Sequence, residues 1–155
     1  MSDRPKVLFV RVKNAGKSQV AAGLMKQLAG DTVDVSSTGT RAGTALNELS
    51  VQSLAEIGID IAAEHPKPIT DEMIQAADVV ITLGSEAHIE PVDGARFGQW
   101  VTDEPSERGI DGIARMRLVR DDIDRNVREL AQQLGATVRE DLRPHDGQVG
   151  ERTGT

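Results

Sequence analysis

Cysteine is absent from all 155 residues, which removes disulfides, thiolate-bound metal and thiolate nucleophiles from the chemistry open to this chain. Long apolar runs are lacking as well. The N-terminal run stops at Arg11, short of a signal-peptide core or a membrane span, so a cytoplasmic protein with no membrane partner is expected. Positive charge is also in deficit: 18 Lys and Arg against 25 Asp and Glu leave a net charge of −7, which argues against nucleic acid as a bulk partner. Any anion site must therefore be local. None of the three histidines stands at metal-ligand spacing from another histidine or a carboxylate, so neither a metal nor a bound cofactor is expected. The length suits one domain, over residues 1–136, because the composition beyond Gly135 turns polar and loses periodicity. Residues 137–155 read as a mobile tail.

What is present is concentrated in KVLFVRVKNAGKSQVAAGLM at 6–25. An apolar run stops at an Asn/Gly/Lys/Ser loop, and apolar residues then resume at helical spacing. Strand, loop and helix in that order make an oxyanion site, since N–H groups at a helix N-terminus lack intrahelical acceptors and carry partial positive charge. The candidate cradle is Val12, Lys13, Asn14, Ala15, Gly16, Lys17 and Ser18. In it Asn14 braces the loop, Gly16 permits close backbone approach, Lys17 supplies charge and Ser18 caps the helix. The alternative is a plain turn and helix cap. A nucleotide-binding G-x-x-x-x-G-K-[ST] loop would need glycine at 11, where Arg11 stands, and a Mg²⁺-binding aspartate after the strand at 79–83, which ends in Gly84-Ser85.

Apolar runs and helical stripes alternate along the chain, the sequence form of βαβ units on a parallel sheet. Strands are expected at 7–10, 32–37, 77–83 and 96–100. Helices are expected from Ser18 to before Gly30, over 47–57, over 73–76 with Thr70 as N-cap, and over 110–134, where Ile113, Met116, Val119, Ile123, Val127, Leu130 and Leu134 form the buried stripe. The charged residues between Arg115 and Arg125 read as a solvated face.

The loop and its surroundings resemble the low-molecular-weight protein tyrosine phosphatases, in particular their arsenate reductase branch and, within it, the actinobacterial arsenate-mycothiol transferases. The family's Cys-x5-Arg-Ser loop reads here Arg11-x5-Lys17-Ser18. Further matches are SSTGTRAG at 36–43, HPKPIT at 65–70, ADVVITLGSEA at 77–87 and DEPSERGIDG at 103–112. The resemblance implies a three-layer α/β fold, phosphotyrosine phosphatase I-like, with a four-stranded parallel sheet of order 2-1-3-4 flanked by helices. It implies arsenate or phosphate as ligand, mycothiol as co-substrate of an active form and a mycoredoxin-type protein as partner. Oligomeric state stays open, a homodimer included.

By the same resemblance Arg11 occupies the position of the nucleophilic cysteine, Lys17 that of the anion-binding arginine, and Asp103 and Glu104, before Pro105, that of the acid that protonates the leaving oxygen. Three readings follow: an arsenate-mycothiol transferase-like protein that has lost its nucleophile, a non-catalytic anion-binding or regulatory pseudoenzyme, or a cradle on which mycothiol itself attacks arsenate. A low-molecular-weight phosphatase is the alternative activity. In the empty site Arg11 is expected to pair with Asp103 or Glu104, because a guanidinium beside a helix N-terminus needs an anion.

Overall fold

The computed structural model describes residues 4–136; the segment 137–155, read above as a mobile tail, lies outside them. In chain order the elements are β1 (Lys6–Arg11), α1 (Lys17–Ala29), a 3-10 turn (Gly30–Thr32), β2 (Asp34–Gly39), α2 (Glu48–Ala55), α3 (Asp71–Ala76), β3 (Val79–Leu83), β4 (Arg96–Trp100), a second 3-10 turn (Pro105–Arg108) and α4 (Gly112–Gln133). All paired strands are parallel and their order is β2-β1-β3-β4.

Alternation along β1 and β3 divides the core between the two faces of the sheet. Val7, Phe9, Val79, Ile81 and Leu83 join α1, α2 and α4 in the larger cluster, and Leu8, Val10 and Val80 join residues of α3 and Ala87 in the smaller. Both central strands are thus apolar on both sides, as an enclosed parallel strand must be. On α4, Met116, Val119, Ile123, Val127 and Leu130 are buried, while Ile113 and Leu134 at the ends of the stripe are half-buried. Phe9 and Trp100 meet with ring centroids 5.5 Å apart.

Element ends differ from the sequence expectation where local polar bonds compete. Strand β2 starts at Asp34 rather than Thr32, because the Thr32 hydroxyl donates to the Ala29 carbonyl and holds a 3-10 turn. Helix α2 stops at Ala55, and Gly58, at φ 85°, completes the reversal beyond it. Helix α4 starts at Gly112 rather than Ile110; Gly109 before it and Gly112 at its first position both have positive φ. Helix α3 begins with Asp71, and the Thr70 hydroxyl accepts from the Met73 N–H as an N-cap. The charged face of α4 is not uniformly solvated. Arg120 is buried and donates to the Ser53 carbonyl and to Glu56, tying α4 to α2.

Strand β1 lies between β2 and β3, so its carboxyl end sits where the strand order changes direction, the place where open α/β sheets take ligands. The last residue of β2 presses on the loop that leaves β1. A Cβ on Gly39 would lie 2.6 Å from the Val12 carbonyl oxygen and 3.0 Å from the Lys13 carbonyl carbon, both backbone atoms. Gly39→Ala is therefore expected to destabilise the fold by about 1–3 kcal/mol, the usual range for overpacking. Urea unfolding checks this, and an unchanged midpoint would show that the loop yields freely.

Candidate functional site

Between β1 and α1 the chain makes a loop whose carbonyls are all occupied. Those of Arg11, Val12, Lys13 and Ala15 accept from the N–H groups of Thr40, Arg41, Gly43 and Asn47 at 3.1, 2.7, 2.9 and 2.7 Å. In a planar trans peptide the next N–H points opposite to the carbonyl. The N–H groups of Val12, Lys13, Asn14 and Gly16 are accordingly turned away from the 40–47 segment. Lys17 and Ser18 add the first N–H groups of α1, which have no intrahelical acceptor. The loop borders a cleft of about 550 Å³ lined by residues 11–17 together with Asn47, Ser50, Glu86, Arg115 and Met116.

Asn14 holds this backbone in place. It is fully buried, with φ at 55°, a left-handed conformation in which asparagine is tolerated better than most residues. Its amide donates to the Ser18 hydroxyl at 2.8 Å, and its side-chain oxygen accepts from the Lys67 N–H and from Gln19. The HPKP segment at 65–68 thus acts as a backbone brace for the loop. Ser18 does not cap α1. Gly16 is the N-cap residue, and Ser18 lies inside the first turn with its hydroxyl engaged by Asn14. The first N–H groups are consequently not consumed by a side-chain cap.

The charged residues are distributed differently from the sequence expectation. Arg11 does not reach Asp103 or Glu104. Its guanidinium donates to the Leu83 carbonyl at 2.7 Å, lies over Gly84, and stands 3.7 Å from Glu86. Gly84 has φ 83°, so a side chain there would be strained as well as obstructed. Position 11 ends β1 beside the end of β3, and the carbonyl there is closer than the acidic loop; sequence patterns do not encode that pairing.

Lys17 is buried, and its ammonium donates to the Thr102 hydroxyl at 2.8 Å and to Glu104 at 3.0 Å. The other Glu104 oxygen takes two bonds from Arg115, from Nε at 3.0 Å and Nη2 at 2.6 Å. Burial opposes ionisation of Glu104, but the hydrogen bonds and charges of Arg115 and Lys17 outweigh it and bring the carboxyl down to about 2. Asp103 turns to Arg108, at 2.9 and 3.0 Å, and that pairing holds it below the usual carboxylate range. Both residues expected as proton donors are therefore carboxylates at neutral pH.

Sequence reasoning missed Arg115, Glu86 and Ser50 as cleft residues. Asn47, expected only as a helix start, caps α2 through its side-chain oxygen and also lines the cleft. Among the described residues no group of three His, Asp or Glu side chains is placed to hold a metal ion, and no helix is long and apolar enough to cross a membrane.

Known proteins share this fold. A family model described as low molecular weight phosphotyrosine protein phosphatase matches residues 6–140. An arsenate reductase of Halalkalibacterium halodurans is 34% identical over 132 residues, covering 81% of this chain and 94% of that one. Among solved structures, the Corynebacterium glutamicum thioredoxin-dependent arsenate reductase superposes with a TM-score of 0.74 at 34% identity, covering 86% of this chain and 63% of that one. An arsenate reductase in its phosphate-binding state superposes with a TM-score of 0.74 at 28% identity, covering 84% of this chain and 98% of that one.

The depressed Glu104 carboxyl has a consequence for stability. Its folded pKa of about 2 lies below the ordinary 4.5, so its contribution is present above pH 4.5 and is lost as pH falls toward 2. Thermal melts of the native protein and Glu104→Gln across that range should converge as the pH drops. A constant gap between them would show that Glu104 does not titrate in this window.

Proposed function

The chain belongs to the low molecular weight phosphotyrosine protein phosphatase family, and from that premise we propose that it is an arsenate-reductase-like protein that binds arsenate or phosphate without bonding to it covalently. The observation that carries this reading is the lack of any cysteine in a chain whose loop keeps its N–H groups turned away from the bracing segment. Arg11 takes the cysteine's position in this account: it is the last residue of β1, with five residues between it and Lys17. A guanidinium is protonated at any physiological pH and has no electron pair with which to attack arsenic or phosphorus. The anion is then held by the N–H groups of residues 12–18, with positive potential from Lys17 and Arg11.

The state of the acidic loop supports an inorganic oxyanion over a phosphate ester. Ester cleavage needs a proton for the leaving oxygen, and Glu104, with its carboxyl at about 2, has none to give near neutrality. Lys17 is a point charge without the two-pronged geometry of arginine, which also suits a small anion. The Corynebacterium glutamicum relative is thioredoxin-dependent. A chain with no thiol has nothing to exchange with a mycoredoxin-, thioredoxin- or glutaredoxin-type protein, so such a partner belongs to the Arg11→Cys form of this account. Mycothiol as co-substrate of the native chain would have to attack the bound arsenate itself, and mycothiol-coupled turnover of the native chain is the measurement that would reveal it. The native chain's place in arsenate detoxification is that of a binder.

Two measurements on the native chain and on Arg11→Cys test the proposal: arsenate binding by calorimetry, and turnover with both mycothiol-coupled arsenate reduction and aryl phosphate hydrolysis. The native chain is expected to bind arsenate and to turn over neither substrate. Arg11→Cys is expected to gain orders of magnitude in arsenate reduction, given that loss of a nucleophile acting with its partners costs on the order of 10⁶-fold in kcat. Equal rates in the two proteins would contradict the assignment of position 11. A gain confined to the aryl phosphate would assign the site to a phosphatase.

A further inference from the structure

The loop offers N–H donors, the Lys17 ammonium and the Arg11 guanidinium, which donates to the Leu83 carbonyl and leans toward Glu86, beyond the end of β3. We infer that Arg115, from the first turn of α4, supplies the guanidinium that contacts the bound oxyanion, and that Glu104 positions it. The inference rests on the oxyanion cradle proposed above and adds a residue from a different element to it.

Arg115 lines the same cleft as residues 11–17. Glu104 is not among the lining residues, although both cations it holds, Lys17 and Arg115, are. One carboxylate thus ties the two side chains to the cleft wall, each by bonds of 3.0 Å or less. The guanidinium spends Nε and Nη2 on Glu104, while Nη1 meets the Met116 sulfur at 3.8 Å, a weak acceptor. Donor capacity therefore remains on the side chain after it has been anchored. Lys17 is in the same position, with two of its three N–H donors committed, to Thr102 and Glu104.

The electrostatic balance agrees. Lys17 and Arg115 together carry one positive charge more than Glu104 neutralises, and a carboxylate ionised down to about pH 2 keeps them fixed throughout the working range. Arg117 is held by Glu56 and Arg108 by Asp103. An oxyanion on the loop would find Arg115 already oriented, so less side-chain freedom is lost on binding than with a free arginine.

Titration with inorganic phosphate, followed by backbone amide shifts of residues 12–18, tests the assignment in the native protein, Glu104→Gln, Glu104→Gln/Arg115→Ala and Glu104→Gln/Arg115→Lys. The Glu104→Gln background removes the carboxylate that Arg115→Ala alone would leave unpaired beside the anion. Against that background Arg115→Ala is expected to weaken phosphate binding by about tenfold or more, the scale of one charge-assisted hydrogen bond. Arg115→Lys is expected to recover part of the loss, because charge without the planar fork gives a partial contact. If the Arg115→Ala and Arg115→Lys forms bind phosphate as well as Glu104→Gln itself, while the loop amides still shift, the cradle stands and Arg115 merely pairs with Glu104. If phosphate shifts no loop amide in the native protein or in Glu104→Gln, the cradle fails and the assignment of Arg115 fails with it.

Discussion

The site depends on four backbone hydrogen bonds that turn the loop carbonyls outward onto the segment 40–47. A flexible Gly/Lys/Ser loop would otherwise sample both carbonyl-in and carbonyl-out peptides, and a mixed set of dipoles does not favour an anion. With the carbonyls fixed outward, peptide planarity fixes the N–H groups on the other side. The segment is held in turn because it continues directly from β2, whose last residue pairs with Arg11. Buried Asn14, which bonds Ser18, Gln19 and Lys67, closes the loop onto α1 and onto the connector at 65–68. The reorganisation needed for anion binding is thereby met during folding.

Charge placement around that loop separates binding from turnover. Glu104 is bracketed by Lys17 and Arg115, which keep it ionised, and Asp103 is kept ionised by Arg108. A general acid must hold its proton near the working pH, and neither residue does. Arg11 adds a further cation at the carboxyl end of β1. A local excess of positive charge persists in a chain whose net charge is −7, so any attraction for oxyanions would be confined to one end of the sheet. Salt should weaken it least where the groups are buried, as Lys17 is.

Much of this was legible in the sequence because the signals are local. The apolar run of β1, the loop composition, the Thr70 cap and the spacing of Met116, Val119, Ile123, Val127 and Leu130 each act within a turn or two of chain. The strand order followed from a resemblance carried by several motifs, and could not be read from periodicity. What the sequence hid was side-chain pairing over long separations. Arg11 meets residues 72 and 75 positions away, and Lys17 meets Thr102 and Glu104. Arg115, Arg117 and Arg120 look alike in a mixed-charge helix, yet they bond to the acidic loop, to an exposed Glu56 and to a buried carbonyl respectively. Serine before a helical stripe fits the pattern of an N-cap, whereas the Ser18 hydroxyl accepts from the Asn14 amide.

The central claim is that the loop binds an oxyanion that no protein atom attacks. A crystal structure of the native chain grown with arsenate tests it most directly. The account predicts a tetrahedral ion among the N–H groups of residues 12–18, with oxygens at about 2.7–3.2 Å from the nitrogens and no bond from arsenic to any side chain. An ion bound elsewhere on the molecule, or arsenic covalently attached to the protein, would contradict it.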